Sequence, residues 1–215
     1  MTSSWDDPGV NVVATRYGPA GYVIDVPAGP ATGVLVLGHG AGGGVDAVDL
    51  LAVRRAATAA GLVVVRVTQP YRVAGRRAPA PAGQLDEAWL AVLAHLAELP
   101  TVTGLPLVVG GRSSGARVAC RTARRSGAVG VVALAFPLHP PGRPDRSRAA
   151  EVPEGLPVLV VNGDRDPFGV PESGPTVDVA VRPGEAHDLR RDPSGAAHVV
   201  VDWLRRHGWA RPDRG

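Results

Sequence analysis

The amino-acid sequence predicts an α/β protein built on a mostly parallel sheet with helices on both faces. Two observations carry this prediction. Short β-branched runs recur after turn signals at 33–37, 62–67, 106–110, 129–135, 157–161 and 176–181, and they read as strands buried on both faces. Helix-like segments lie between them, and a regular alternation of strand and helix makes a parallel sheet covered on two sides.

Taken in order, 10–16 and 21–26 are two β-rich runs around Gly18, Pro19, Ala20 and Gly21, which predicts an antiparallel hairpin at one sheet edge. The clearest helix is 84–99, where Leu85, Trp89, Val92, Leu96 and Leu99 repeat at alternating four- and three-residue steps and form a core stripe. Residues 114–125 place Ala116, Ala119, Cys120 and Ala123 on one face and Arg117, Arg121 and Arg124 on the other, so small residues allow a close approach to the sheet. A closing amphipathic helix over 195–208 gathers Ala197, Val200, Val201 and Leu204. The proline-rich stretches 78–83 and 137–144 are short enough to be loops rather than linkers, and no internal repeat is present. A length of 215 residues suits one domain, with its core at about 10–208.

Composition excludes several classes of function. With 45% hydrophobic and 20% charged residues, the balance is that of a globular protein rather than a disordered or fibrous one. The net charge of +3 comes from arginines spread along the chain, without a single lysine. That bias, with abundant Ala, Gly, Pro and Val, is what a GC-rich genome produces. No basic-aromatic motif or groove-reading helix accompanies it, so no nucleic-acid partner is expected. The only cysteine, Cys120, has no partner for an internal disulfide, in keeping with a reducing compartment. The opening MTSSWDDPGV lacks a basic stretch followed by an apolar one, and no apolar run reaches membrane-spanning length. A cytoplasmic protein with no membrane partner is expected, its oligomeric state left open.

The chemistry concentrates at three strand ends. Gly111-Arg112-Ser113-Ser114-Gly115 follows the strand 106–110 and precedes the helix from 114, so this Gly-x-Ser-x-Gly sits in the context that gives the motif meaning. Such a turn is sharp enough to strain the serine backbone, and the flanking glycines avoid collision with it. It also lifts the hydroxyl above the sheet and points the first N–H groups of the helix at it. Taking Ser114 as the nucleophile would put the bulky Arg112 where a small residue is needed.

After the strand 157–161, Gly163-Asp164-Arg165-Asp166 places two acids at the same edge, and the glycine three residues before Asp166 favours it over Asp164 as the orienting carboxylate. An Asx-turn is the other role open to either acid. His187, in a loop after the strand 176–181, follows the acid outside any helix, unlike His95, His198 and His207. A serine hydroxyl becomes a useful nucleophile when a neutral imidazole takes its proton, and a carboxylate fixes that imidazole's tautomer. The expected catalytic residues are therefore Ser113, Asp166 and His187.

The loop Gly38-His39-Gly40-Ala41-Gly42-Gly43-Gly44 also fits the dinucleotide fingerprint at Gly38, Gly40 and Gly43. A hairpin before it, and Val67, Thr68 and Gln69 where an acid should close the next strand, argue against that use. As an oxyanion loop it would bring the backbone N–H of Ala41 together with that of Ser114, each such donor being worth about 3–4 kcal/mol in the transition state. No cofactor and no metal are expected. His39, Gly40, Arg112 and His139 are the candidates for lining the pocket.

With these features together, the chain resembles the α/β-hydrolase superfamily over about residues 10–208, and most closely its small dienelactone-hydrolase-like branch. Three stretches, Leu37–Gly43, Phe136–Gly142 and Gly163–Gly169, are similar to a group whose relatives include a subunit of a histone acetyltransferase complex. The resemblance implies a sheet of eight strands and the triad Ser113, Asp166 and His187. Dienelactone hydrolases use a cysteine nucleophile where this chain has serine, so their substrate does not carry over. The short interval between 129–135 and 157–161 leaves no room for a large cap. The expected function is hydrolysis of a small-molecule ester or related acyl compound. The alternatives are a catalytically silent interaction protein and, more distantly, a nucleotide-binding oxidoreductase.

Overall fold

Successive side chains on a strand point to opposite faces, so each apolar run divides its residues between two cores. The computed structural model describes residues 10–213; residues 1–9, most of the opening read above for a leader pattern, and 214–215 lie outside it. Its strands are β1 (Asn11–Thr15), β2 (Gly18–Asp25), β3 (Gly33–Gly38), β4 (Leu62–Thr68), β5 (Leu107–Arg112), β6 (Gly130–Leu134), β7 (Val158–Gly163) and β8 (Val177–Arg182). The helices are α1 (Val48–Ala59), the single turn α2 (Pro70–Val73), α3 (Ala82–Ala97), α4 (Ser114–Thr122) and α5 (Pro193–Arg206).

Among the described residues the eight strands form one sheet in the order β1-β2-β4-β3-β5-β6-β7-β8. It is antiparallel where β2 meets β1 and β4, and parallel from β4 through β8. Val34, Val36, Val63 and Val65 face Trp89 and Val92 of α3 and Ala116 and Ala119 of α4. Leu35, Leu37, Leu62 and Val64 face the opposite way, toward Leu50 and Val53 of α1 and Val200 and Leu204 of α5. Each fully buried Leu or Val contributes about 1.5–3 kcal/mol by leaving water.

The chain runs from β3 to β4 on one side and then returns to β5 on the other side of β3. Crevices beyond the carboxyl ends of strands at such a reversal are where α/β sheets bind ligands. The loops after β3 and β5 therefore face each other across the binding position that the topology dictates.

Two expectations need correction, and one helix was not foreseen. The hairpin turns at Arg16–Tyr17, because Thr15 pairs with Gly18 and places Gly18, Pro19, Ala20 and Gly21 inside β2. Pro19 is tolerated because pairing with β4 begins only at Gly21, so its missing N–H loses no ladder bond. The run 176–181 forms an edge strand that pairs with β7 alone, and none of its residues is fully buried: in β8 Asp178 and Val181 are exposed and the others half-buried. Finally, α1 covers a full crossover that the apolar pattern does not single out, because its buried stripe includes Ala52, Ala57 and the charged Asp49 beside Leu50 and Val53. The clearest sequence helix, 84–99, is α3 displaced by two residues, with Pro81 at its N-cap.

Candidate active site

Ser113 closes β5 and opens α4 with φ 52° and ψ −109°, a conformation that L residues adopt at a cost of about 1–3 kcal/mol. Its N–H is held by the Leu134 carbonyl at the tip of β6, at 2.9 Å. The flanking glycines are required by the neighbouring strand as well as by the turn itself, where a Cβ on Gly111 would stand 2.8 Å from the Gly115 carbonyl carbon. A Cβ on Gly111 would stand 2.5 Å from the Gly38 carbonyl oxygen, and one on Gly115 would overlap that carbonyl. The helix can start this close to β3 only without side chains there.

The acid and the imidazole arrive on loops that lock together. A Cβ on Gly163 would overlap the Glu185 carbonyl, so the glycine allows the two loops to touch. Arg165 N–H then donates to the Glu185 carbonyl at 3.0 Å, and Gly184 N–H donates to Asp164 Oδ1 at 2.7 Å. Asp164 thus braces the histidine loop. The buried Glu185 carboxylate accepts from the N–H groups of Arg191 and Asp192 further along the same loop.

Within this frame His187 Nε2 lies 2.9 Å from Ser113 Oγ, and His187 Nδ1 lies 2.8 Å from Asp166 Oδ2. The Asp166 side chain is 0% exposed, and its second oxygen accepts from Phe168 N–H at 2.9 Å. The carboxylate therefore makes an Asx-turn and faces the imidazole at once. The Phe168 ring packs on the imidazole with 4.3 Å between centroids. The structure brings Ser113, Asp166 and His187 together in one hydrogen-bonded chain. Phe168 and Glu185 were not legible as site residues, and Asp164 was read only as the lesser candidate for the acid, because their roles depend on contacts between loops.

The four candidate lining residues divide differently. His39 is 2% exposed and turned inward. Its Nε2 accepts from Gln69 N–H at 3.1 Å, so Nδ1 carries the hydrogen and donates to the Gly40 carbonyl at 2.8 Å. It braces the glycine loop from beneath instead of lining an open pocket. Tyr71 Oη adds a bond to the Ala41 carbonyl at 2.7 Å. Gly40 does lie against the elbow, since a Cβ there would stand 3.7 Å from Ser113 Cβ. Arg112 is occupied by Asp49 and the His187 carbonyl. His139 is taken up between the Pro140 carbonyl and Gly169.

Burial lowers the His39 imidazole from its ordinary value of 6.5, with the Gly40 bond opposing the shift. The unfolded chain therefore takes up this proton first, so the stability of neutral His39 is full above the unfolded value and is lost as pH falls below it. Between about pH 8 and about pH 5.5, the unfolding free energy should fall more in the wild type than in His39→Asn, by up to about 1.4 kcal/mol per pH unit, and the melting temperature should fall more with it. Parallel melting curves for the two proteins would contradict this.

A groove of about 1000 Å³ opens between the 138–155 and 170–177 segments, lined by Leu138, Ala150, Val152, Val170, Pro171 and Val177, and not by Ser113 or His187. Burial pushes the Cys120 thiol up to about 12, which leaves it inert in the core. Among the described residues no cluster of His, Cys, Asp and Glu could hold a metal, and no helix is long and apolar enough to cross a membrane. The glycine loop leads into a helix only at Val48, so it lacks the helix terminus that a dinucleotide fingerprint needs. Between β6 and β7 lies only the turn of 3-10 helix Ala149–Glu151, with no large cap.

An alpha/beta hydrolase domain model matches residues 31–187 of the chain. Similar solved structures include an α/β serine hydrolase without a lid from Xanthomonas campestris, at 19% identity and a TM-score of 0.75, covering 96% of this chain and 98% of that one. Est1E from Butyrivibrio proteoclasticus is 15% identical, with a TM-score of 0.74 and coverage of 93% and 98%. A dienelactone hydrolase from Anabaena variabilis is 18% identical, with a TM-score of 0.72 and coverage of 95% and 100%. At these identities the likeness is one of fold. No curated protein sequence is significantly similar to the chain.

Proposed function

Because the chain belongs to the alpha/beta hydrolase domain family, we propose that it hydrolyses an ester or related acyl bond of a small molecule through Ser113, His187 and Asp166. The observation that carries this reading is the unbroken chain from Ser113 Oγ through the imidazole to Asp166, at 2.9 Å and 2.8 Å. His187 Nε2 takes the hydroxyl proton as Oγ attacks the acyl carbon, and Asp166 supports the imidazolium. The backbone N–H groups of Ala41 and Ser114 receive the oxyanion. His187 then returns the proton to the leaving group, and the acyl-enzyme remains on Ser113. A water molecule, deprotonated by His187, attacks that ester and releases the acid and the free serine.

His39 and Tyr71 support the oxyanion role of Ala41. In a planar trans peptide the C=O and N–H point in opposite directions, so holding the Gly40 carbonyl toward His39 turns the Ala41 N–H away from that ring. Two of the three segments similar to the acetyltransferase-associated group, Phe136–Gly142 and Gly163–Gly169, lie close together, since the Asn162 side chain bonds Phe136 and Gly169 and the His139 N–H bonds the Phe168 carbonyl. We include kinship with that group in the proposal.

The test is covalent labelling. A fluorophosphonate should attach to the folded chain, with the modified peptide mapping to Ser113, and an ester, thioester, lactone and amide panel should show turnover of at least one class. A folded protein that neither labels nor turns over any of them would favour a silent interaction protein.

A further inference from the structure

Arg112 fills the variable position of the Gly-x-Ser-x-Gly turn, and its guanidinium reaches three segments that must keep fixed places for Ser113 to react. Nε forms an ion pair with Asp49 Oδ2 at 3.0 Å, in the first turn of α1, without the alignment of a hydrogen bond. Nη2 donates to the backbone carbonyl of His187 at 3.1 Å. Nη1 lies over the glycine loop, 3.0 Å from where a Cβ on Gly40 would stand. The Arg112 side chain is 15% exposed and that of Asp49 is 1% exposed, so the carboxylate is shut off from solvent and the guanidinium largely so. Asp49 Oδ1 is fixed by Leu50 N–H at 2.9 Å.

We propose that Arg112, neutralised by Asp49, is a positioning residue that holds the main chain of His187 where Nε2 meets Ser113 Oγ. The proposal rests on the reading of Ser113 and His187 as nucleophile and base. The Arg112 bond to His187 starts from the residue next to Ser113 in the chain, so it runs alongside the Oγ–Nε2 contact and spans the same gap. It matters most when that contact is absent. Once Ser113 carries the acyl group its Oγ has no proton to donate, and His187 must stay in place to deprotonate water. The guanidinium bond to the backbone does not change during that cycle. Asp49 makes it tolerable, because a buried cation without its partner is strongly destabilising. Lysine cannot replace this arrangement, since one ammonium lacks the planar fork that serves a carboxylate and a carbonyl on different sides.

The experiment compares the full chain with Arg112→Met and Arg112→Lys. It measures kcat and KM on an activated ester, per site titrated by fluorophosphonate, and amide hydrogen exchange over Ala186–Leu189. The Met variant should lose about 10- to 100-fold in kcat per titrated site, with KM changed less than about 3-fold. Exchange at Ala186–Leu189 should accelerate while β5 and α4 stay protected. The Lys variant keeps the charge opposite Asp49 and should keep the melting temperature, yet recover less than about a tenth of the rate. It carries the test if the Met variant does not fold. Wild-type kcat in a folded variant would overturn the proposal, as would a raised KM at unchanged kcat, which would put the guanidinium on the substrate. If the wild type neither labels nor turns over, the hydrolase reading fails, and the exchange arm still decides the clamp: unchanged exchange at Ala186–Leu189 overturns it.

Discussion

Ser113→Ala should lower kcat by about a million-fold while leaving the protein folded, measured as ester turnover beside a thermal melt. The size of the effect follows from the division of labour at the site. Without a hydroxyl at 2.9 Å from Nε2, His187 has no proton to take and Asp166 has no charge to support. What remains is binding and the oxyanion donors, which can still assist attack by water to a small extent. Stability should move by a separate rule. Ser113 holds φ 52°, and alanine inherits that strain because it also carries a Cβ. Ser113→Gly removes the strain and should be more stable than Ser113→Ala by about 1 kcal/mol, with equal loss of activity. Equal melting temperatures for the two variants would show that the elbow stores no backbone strain. Turnover within about 100-fold of wild type in Ser113→Ala would place the nucleophile elsewhere.

Most of the strands and the three side chains that meet in one hydrogen-bonded chain were legible in the sequence because each rests on local chemistry. β3 to β7 are valine- and leucine-rich runs between turn signals, and every one of them is a strand. Ser113 is marked by its own glycines, Asp166 by Gly163, and His187 by its place after the last strand and outside a helix. The residues that escaped notice act across the chain. Glu185 is a carboxylate in a loop by its sequence; only the fold turns it inward, 2% exposed, onto the amides of Arg191 and Asp192. Phe168 follows a proline in a loop, and nothing local says that its ring will rest on an imidazole 19 positions away. His39 misled for the converse reason. A histidine between glycines reads as pocket lining, but two backbone groups, one of them from the tip of β4, capture both ring nitrogens. The turn at Arg16–Tyr17 was hidden because Gly18 and Pro19 carry stronger turn signals than the residues that turn, and pairing with β1 overrides them.

Asp166→Asn should keep the shape of the site and still lower kcat by about 10⁴-fold, because the amide will present the wrong group to the imidazole. Two close donors meet this carboxylate, Phe168 N–H at Oδ1, 2.9 Å away, and His187 at Oδ2, 2.8 Å away, with Asn162 Nδ2 a more distant third. An asparagine has one accepting oxygen for the two positions. The Phe168 amide can only donate, whereas the imidazole can exchange tautomers, so the side-chain oxygen will settle on Phe168 and its NH₂ will face His187. Nδ1 then becomes the acceptor and the ring hydrogen moves to Nε2, which points at Ser113 Oγ with a hydrogen instead of a lone pair. The base is present and in place but already protonated on the working nitrogen. Asn162 Nδ2, at 3.5 Å from Oδ2, opposes this orientation only weakly at that distance. The variant should bind substrate with KM near wild type and regain rate as pH rises and hydroxide replaces the missing base. Activity within about 10-fold of wild type at neutral pH would show that Asp166 is not the group that fixes the tautomer.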